Sequence, residues 1–182
     1  MTELADSLPP AADALLGPFA VVLQPLGALE PRGLRLPLAA GGTIARAVAV
    51  RAAADLAAAG VAAAVLPALP YGLSRRAERR RGWISLRPGT LWALLEDVFE
   101  SLVEQGVRRI VLVNTHDEPE HAEVLDGVIL DHPEIAPEQA HVLLPSLSSA
   151  ALDSAEEGEA NVAASAEAVV RAVRDAWPEL FR

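Results

Sequence analysis

The sequence feature that most constrains the fold is a run of four apolar residues at positions 110–113, Ile-Val-Leu-Val, three of which are β-branched. It follows a break in the pattern that begins at Gly106. Continuous apolar runs of this kind are typical of strands that are buried on both faces of a parallel sheet. The sequence therefore predicts a central strand here, with the rest of the chain packed around it.

The chain becomes polar as soon as this strand ends. Asn114, His116 and Glu118 follow it, and open α/β sheets bind ligands in the crevice beyond the carboxyl ends of their strands. Asn114 is a candidate ligand-binding residue there. His116 and Glu118 are two residues apart, so they can offer one nitrogen and one carboxylate to a metal ion or a substrate. The competing interpretation is that His116 only makes hydrogen bonds within a turn, because a single His-x-Glu pair is weak evidence for a site.

Strand and helix patterns alternate along the rest of the chain. Apolar runs predict further strands at residues 19–23, 61–66 and 142–144, and helical spacing predicts helices at about 43–59, 88–105, 120–130 and 160–177, with Thr43 capping the first. Residues 146–159 are expected to form a loop. This alternation predicts a three-layer α/β/α domain with a largely parallel sheet. We expect residues 1–18 to be an N-terminal lead and residues 19–182 to be a single domain.

Composition excludes several kinds of chemistry. The chain has no Cys, which excludes thiol nucleophiles, and its fifteen cationic residues are all Arg, which excludes a Schiff-base or P-loop lysine. The formal charge is −10 and only 4% of residues are aromatic, so we expect no nucleic-acid partner. No apolar run is long enough for a membrane span and the N-terminus lacks a basic segment, so we expect no membrane association and a cytoplasmic location.

Five arginines crowd into positions 75–81, among them Arg76 and Arg79. One interpretation is a solvated loop. The other is a contact with an anion or a partner, because guanidinium groups this close repel one another unless a negative charge lies between them. The sequence leaves both interpretations open.

Three histidines lie outside the central motif. His121 falls on a predicted helix, and we expect it to lie on the surface of that helix. His132 and His141 have no stronger claim to a functional site.

Several loops, taken together, resemble the creatininase family of metal-dependent amidohydrolases. The family's first loop reads roughly G-S-x-E-Q-H-G-x-H-L-P-L-x-T-D, and residues 27–41, GALEPRGLRLPLAAG, lie over it without a gap. Residues 66–74 resemble the family's L-P-x-x-P-Y-G-x-S, residues 81–86 its P-G-T-I-S-L, and residues 113–119 its V-N-x-H-x-x-N. A weaker likeness places residues 153–159 over D-x-x-H-A-G-E. The resemblance spans about residues 19–119 and implies a creatininase-like fold.

The resemblance also implies a site for two divalent metals. In the family, the metals are held by the Glu, the His and the Asp of the first loop and by the His and the acid after the central strand, and the Asp bridges them. Carried onto this chain, the retained metal ligands are Glu30, His116 and Glu118. Arg32 stands at the first-loop His, and Gly41 stands at the bridging Asp.

These two replacements predict the loss of metal-dependent activity. A catalytic metal normally needs about three protein ligands, and a two-metal centre needs a shared carboxylate. Arg32 can pair with Glu30 or Glu118 and so replace the charge of a metal with its own. We therefore expect no cofactor, or zinc or manganese if any metal binds. The expected role is that of a non-catalytic structural or regulatory subunit, in a homo-oligomer or beside an active homologue.

One alternative is an active amidohydrolase with an atypical metal site. It would cleave a cyclic or linear C–N amide bond with a single metal on Glu30, His116 and Glu118. Glu159 or Glu156 would then serve as the general base.

A second alternative is a metal-free binding protein. In this hypothesis the guanidinium groups of Arg32, Arg76 and Arg79 hold a small anion such as a phosphate or a carboxylate. The acidic character of the whole chain makes a local cluster of arginines the natural place for such a ligand.

Overall fold

The computed structural model describes residues 3–75, 81–137, 140–144 and 155–182, with the side chains of residues 155–157 excepted. The strands in these ranges are β1 (Val21–Leu26), β2 (Ala63–Val65), β3 (Ile110–Asn114) and β4 (His141–Leu143). The helices are α1 (Pro9–Leu15), α2 (Ala40–Ala58), α3 (Pro88–Glu104), α4 (Pro119–Asp131) and α5 (Ala155–Ala176). Short 3-10 helices lie at Leu4–Asp6 and Pro178–Phe181.

The described strands form one parallel sheet in the order β2-β1-β3-β4. Leu23 of β1 lies opposite Val65 of β2 and Val111 of β3, and Val113 of β3 lies opposite Val142 of β4. Every residue of β3 is buried. The run at 110–113 is therefore a central strand of a parallel sheet, as predicted.

Helices cover both faces of the sheet, because successive residues of a buried strand point to opposite faces. On one face, α3 and α4 pack on Val22, Ile110 and Leu112, with Phe99 fully buried between the layers. On the other face, α2 and α5 pack on the alternate strand residues, which include Val21, Leu23, Val111 and Val113. The three-layer α/β/α prediction is confirmed.

The strand β1 continues past the predicted end at residue 23, through Pro25. A proline inside a central strand normally removes a hydrogen bond of the ladder. Here the odd-numbered residues donate towards β2, since Val21 N–H donates to Ala62 O, and β2 ends at Val65, before the level of Pro25 is reached. The missing N–H therefore costs little, and the sequence prediction ended this strand too early.

The helix α2 begins at Ala40 rather than at the predicted residue 43. Thr43 does not cap it, because Thr43 Oγ1 donates to the carbonyl oxygen of Ala39 at 3.1 Å. A hydroxyl in this position donates to the carbonyl oxygen four residues earlier and does not accept a hydrogen bond from the free N–H groups of the first turn. The early start places Gly41 in the first turn of α2, where it is buried at the edge of the sheet.

The ends of the chain are more helical than the sequence predicts. The lead contains α1, and Glu3 forms an isolated parallel bridge with Val65 on the edge of β2. The helix α5 begins at Ala155, so the last part of the predicted loop at 146–159 is helical. None of the helices in the described parts of the chain is long and apolar enough to cross a membrane.

Candidate functional site

The loops that follow β1, β2 and β3 meet at the carboxyl edge of the sheet. After β3, Thr115 N–H donates to Leu26 O at the end of β1, at 3.3 Å. After β2, Leu69 N–H donates to Pro25 O, at 3.0 Å. These contacts bring the segments 27–41, 66–74 and 113–119, which carry the resemblance to creatininases, into one crevice.

Asn114 closes the turn at the end of β3. Its Oδ1 accepts the backbone N–H of His116 at 2.9 Å, and its Nδ2 donates to the backbone oxygen of His116, also at 2.9 Å. The side chain is fully buried. The amide of Asn114 is therefore engaged within the protein and holds His116 at the start of the crevice.

The guanidinium group of Arg32 lies between the acidic and imidazole side chains of this crevice. Its Nη2 is 3.1 Å from Glu30 Oε1 and 3.5 Å from His116 Nδ1, and it donates to the backbone oxygen of Thr115 at 3.0 Å. Its Nε donates to Glu30 Oε1 at 3.1 Å. A fixed positive charge therefore already lies where the carboxylate and the imidazole face each other. Of the two predicted pairings of Arg32, the one with Glu30 is present.

The main chain at Gly41 faces the same guanidinium nitrogen. A Cβ atom built on Gly41 would lie 3.5 Å from Arg32 Nη2 and 3.3 Å from Thr115 Oγ1. The Thr115 hydroxyl donates to Gly41 O at 2.9 Å. A side chain at position 41 would thus lie beside the Arg32 guanidinium group, which contacts both Glu30 and His116.

His116 has close neighbours at both ring nitrogens. Its Nδ1 lies 3.1 Å from Glu30 Oε1, and its Nε2 lies 3.7 Å from Glu118 Oε2 and within hydrogen-bonding distance of the backbone oxygen of Leu73. Glu118 also accepts the backbone N–H of Arg75 at 3.0 Å through Oε1. Glu30, His116 and Glu118, the residues predicted as metal ligands, are thus neighbours in the structure. The contacts described for them are with other groups of the protein.

The charged form of Glu30 is favoured despite burial. Burial alone raises the pKa of this carboxyl, but the hydrogen bond from His116 and the positive charges of His116 and Arg32 hold the pKa below its ordinary value. Ser74 contributes in the same direction, although its hydroxyl makes no hydrogen bond of normal geometry within the described structure. Glu30 is therefore the anionic partner of a preformed ion pair.

The prediction that His121 lies on the surface is wrong. Its side chain is completely buried, its Nδ1 accepts the backbone N–H of Leu73 at 3.2 Å, and its ring packs edge-on against the ring of His116 with centroids 5.0 Å apart. Burial lowers the pKa of His121 to about 3, with further lowering from His116 and His141. The sequence did contain a signal, because His121 shares a helical face with the apolar residues Val124, Leu125 and Val128.

The remaining predicted residues lie elsewhere or cannot be placed. Arg76 and Arg79 lie outside the described residues, as does the side chain of Glu156. Glu159 is exposed to solvent on α5. Arg32 is bound to Glu30 and Thr115, so most of its hydrogen-bonding capacity is directed at the protein itself.

The described residues at this edge are not arranged to hold a divalent metal. In residues 3–75, 81–137, 140–144 and 155–182, no group of three or more His, Asp or Glu side chains is arranged to hold one. A metal site needs about three converging ligands with free lone pairs. The Arg32 guanidinium binds one oxygen of Glu30, Oε1, and Gly41 offers no side chain.

The fold and the site define a class, that of three-layer α/β proteins with a polar crevice at the carboxyl ends of a parallel sheet. The family model described as "Creatininase: Creatinine amidohydrolase" matches residues 7–142. The chain belongs to the creatininase family. No curated protein matches the sequence.

Solved structures of similar fold include two creatininases. One is a Glu-to-Gln mutant creatininase of the Zn-Zn type, with a TM-score of 0.76 and 18% identity over 97% of this chain and 98% of that chain. Another is described as "Creatininase Mn", with a TM-score of 0.73 and 17% identity over 97% and 99% of the two chains. A putative creatinine amidohydrolase from Bacteroides fragilis is 26% identical, with a TM-score of 0.67 over 81% of this chain and 58% of that chain.

Proposed function

We propose that this creatininase-family protein is a non-catalytic member, in which Arg32 has replaced the bound cation and the chain acts as a structural or regulatory subunit. The observation that carries the proposal is the position of Arg32 Nη2, which is 3.1 Å from Glu30 Oε1 and 3.5 Å from His116 Nδ1. The guanidinium group supplies the positive charge that the carboxylate needs. It does so without a coordination site for water.

The chemical consequence concerns the nucleophile. Metal-dependent hydrolases generate a hydroxide at neutral pH because a bound metal lowers the pKa of its water. A guanidinium group only donates hydrogen bonds and cannot perform that step. Among the described crevice residues, His116 is held by Glu30 and Leu73, and Glu118 accepts a backbone N–H. These residues are thus committed to holding loops together.

The experiment compares the wild-type protein with Arg32→His/Gly41→Asp, which restores the two missing family ligands. Each is purified with added zinc or manganese, and bound metal per chain and hydrolysis of creatinine are measured. We expect the wild type to retain little metal and to turn over no substrate, and the double variant to gain metal. Arg32→Lys is the matched control, because it keeps the positive charge and should not gain metal. Stoichiometric metal in the wild type would contradict the proposal.

The alternative is a hydrolase that uses a single metal, and one observation favours it. Glu30 and Glu118 lie 3.1 Å and 3.7 Å from the ring nitrogens of His116, so the three predicted ligands are neighbours. They face opposite nitrogens of the ring, so one carboxylate would have to move before all three could hold one ion. Binding would require the Arg32 side chain to leave Glu30. Turnover of a cyclic or linear amide that is lost on adding a chelator, and lost in Glu30→Gln, would support this alternative against the first.

The proposed subunit role implies a partner, either further copies of this chain or an active homologue. Light scattering on the purified protein would report self-association, and mixing with an active creatininase before gel filtration would report a mixed complex. Binding of a small anion at the Arg-rich segment is tested by adding phosphate in a thermal-shift assay, because a ligand at a hundred times its Kd should stabilise the protein by about 2.7 kcal/mol. The cytoplasmic location stays a prediction.

A further inference from the structure

A chain of hydrogen bonds runs from the surface of α4 to the crevice. It begins at Asp126, an exposed residue of α4, whose Oδ1 lies 2.5 Å from Nδ1 of His141. The side chain of His141, the first residue of β4, is only 6% exposed. The far side of the same ring faces Asn114, with Nε2 of His141 at 3.2 Å from Nδ2 of Asn114.

The partners of these atoms fix which groups donate and which accept. Asn114 Oδ1 accepts the backbone N–H of His116, so the nitrogen of the same amide must be the atom that faces His141. An amide nitrogen only donates, and His141 Nε2 must therefore accept. The proton of the neutral ring then lies on Nδ1, where the Asp126 carboxylate accepts it. Every group in the chain has one consistent role.

We propose that Asp126 and His141 are positioning residues, which hold the Asn114 amide in one orientation and thereby fix the turn that carries Thr115 and His116. The turn matters because it places two groups of the crevice. The backbone oxygen of Thr115 accepts a hydrogen bond from Arg32 Nη2, and Nδ1 of His116 faces the Glu30 carboxylate. A surface carboxylate on α4 thus controls the geometry of the crevice through His141 and Asn114. This proposal does not depend on whether the crevice binds a metal.

The first test determines the tautomer of His141 by ¹⁵N NMR of the imidazole rings in the wild-type protein at neutral pH. The expected result is a proton on Nδ1 and none on Nε2. In Asp126→Ala, the carboxylate that selects this tautomer is gone, and we expect the two forms of the ring to mix. A wild-type His141 that carries its proton on Nε2 would overturn the proposal, because the Asn114 amide could not then donate to it.

The second test measures hydrogen exchange of the His116 backbone amide, whose N–H donates a hydrogen bond to Asn114 Oδ1. Loss of one buried hydrogen bond is expected to speed this exchange about tenfold. We expect that acceleration in Asp126→Ala and a return to the wild-type rate in Asp126→Asn, whose side-chain oxygen can still accept from Nδ1. Amides of β3, such as Leu112, report global opening and should exchange at wild-type rates in both variants.

The matched control is Glu123→Ala, which removes an exposed acid from the same helix but not from the chain of hydrogen bonds. It should leave both the His141 tautomer and the exchange of the His116 amide unchanged. An equal effect of Glu123→Ala and Asp126→Ala would overturn the proposal, since the charge of α4 and not the contact would then be responsible. Unchanged exchange of His116 in Asp126→Ala would overturn it as well.

Discussion

Arg32 places two guanidinium nitrogens on one oxygen of Glu30, with Nε and Nη2 each 3.1 Å from Oε1. The side chains are 12% and 9% exposed, respectively. Arg32 also donates to Thr115 O, so it ties the loop after β1 to the turn after β3. Because a charge left alone in such a place keeps its desolvation cost without the compensating attraction, the two residues are expected to be coupled energetically.

Removal of the guanidinium alone should therefore destabilise the protein strongly. We expect Arg32→Met to lower the free energy of unfolding by about 3 kcal/mol, because it leaves the Glu30 carboxylate buried without its guanidinium partner. Urea unfolding at pH 7 measures it. The double variant Glu30→Gln/Arg32→Met should be more stable than Arg32→Met alone, since the carboxylate that lost its guanidinium partner is then replaced by a neutral amide. If the two single substitutions and the double were simply additive, this account of the pair would be wrong.

A carboxylate at position 41 should find the Arg32 guanidinium. A Cβ on Gly41 lies 3.5 Å from Nη2, and position 41 is in the first turn of α2, where negative charge is favoured. We expect Gly41→Asp to be about 1 kcal/mol more stable than the neutral, equally large Gly41→Asn, and Gly41→Lys to be the least stable of the three. Thermal unfolding at low and high salt measures the order. Equal stability of the Asp and Asn variants would show that the side chain points elsewhere.

Burial of a neutral histidine should make the protein sensitive to mild acid. Burial lowers the pKa of His121 to about 3 from an ordinary value of 6.5. Between these two pH values the unfolded chain therefore binds a proton at His121 and the folded chain does not. The stability contribution is complete above pH 6.5 and is lost as the pH falls towards 3. Between pH 6.5 and 5 we expect the wild type to lose about 2 kcal/mol through this group.

The control for this pH dependence is His121→Asn. Its side-chain oxygen can accept the Leu73 N–H that Nδ1 accepts in the wild type, but it does not titrate. Urea unfolding of both proteins across this pH range gives the difference. A wild-type curve parallel to that of His121→Asn would mean that His121 takes up a proton as easily in the folded protein as in the unfolded chain.

The main chain at Gly72 leaves no room for a side chain. A Cβ there would lie 2.8 Å from Cε1 of His121 and 2.9 Å from the backbone oxygen of Gly27. We expect Gly72→Ala to destabilise by about 2 kcal/mol through overpacking. Gly42→Ala is the matched control: nothing lies within 4 Å of a Cβ there, and the position is helical, so it should stabilise by about 0.5–1 kcal/mol. Similar effects of the two substitutions on thermal unfolding would contradict this packing.

Much of the fold could be predicted because its elements depend on local patterns. The apolar run of β3 and the helical spacing of α3 fix those elements within a residue or so, since burial of one face is encoded in the order of side chains. The start of α2 was missed, because Thr43 is a good capping residue whose hydroxyl in fact bonds to Ala39. Likewise the pattern predicts too short a β1, because Pro25, which would break a paired strand, lies beyond the end of the neighbouring β2.

The candidate site was only partly within reach of the sequence. The spacing after the central strand identified His116 and Glu118, and the resemblance to the creatininase loops added Glu30 as a retained ligand and Arg32 and Gly41 as the replaced positions. The sequence did not reveal that His121 is buried against the ring of His116. It also did not reveal the hydrogen bond between Asn114 and His141. These contacts join residues that are distant in the chain or lie on different elements.

The sequence by itself determined the family, the parallel α/β architecture and the chemical types of the side chains at the strand ends, because each of these follows from the order of residues along the chain: the motifs of several loops, the alternation of strand and helix patterns, and the residues that follow each strand. Only the tertiary structure decided that Arg32 bonds to Glu30 and not to Glu118 among the contacts described, and that position 41 faces the same guanidinium group. The physical reason is that an ion pair forms where the folded main chain brings two charges within reach at low dielectric. That distance is set by how three loops pack and not by the residues of any one of them.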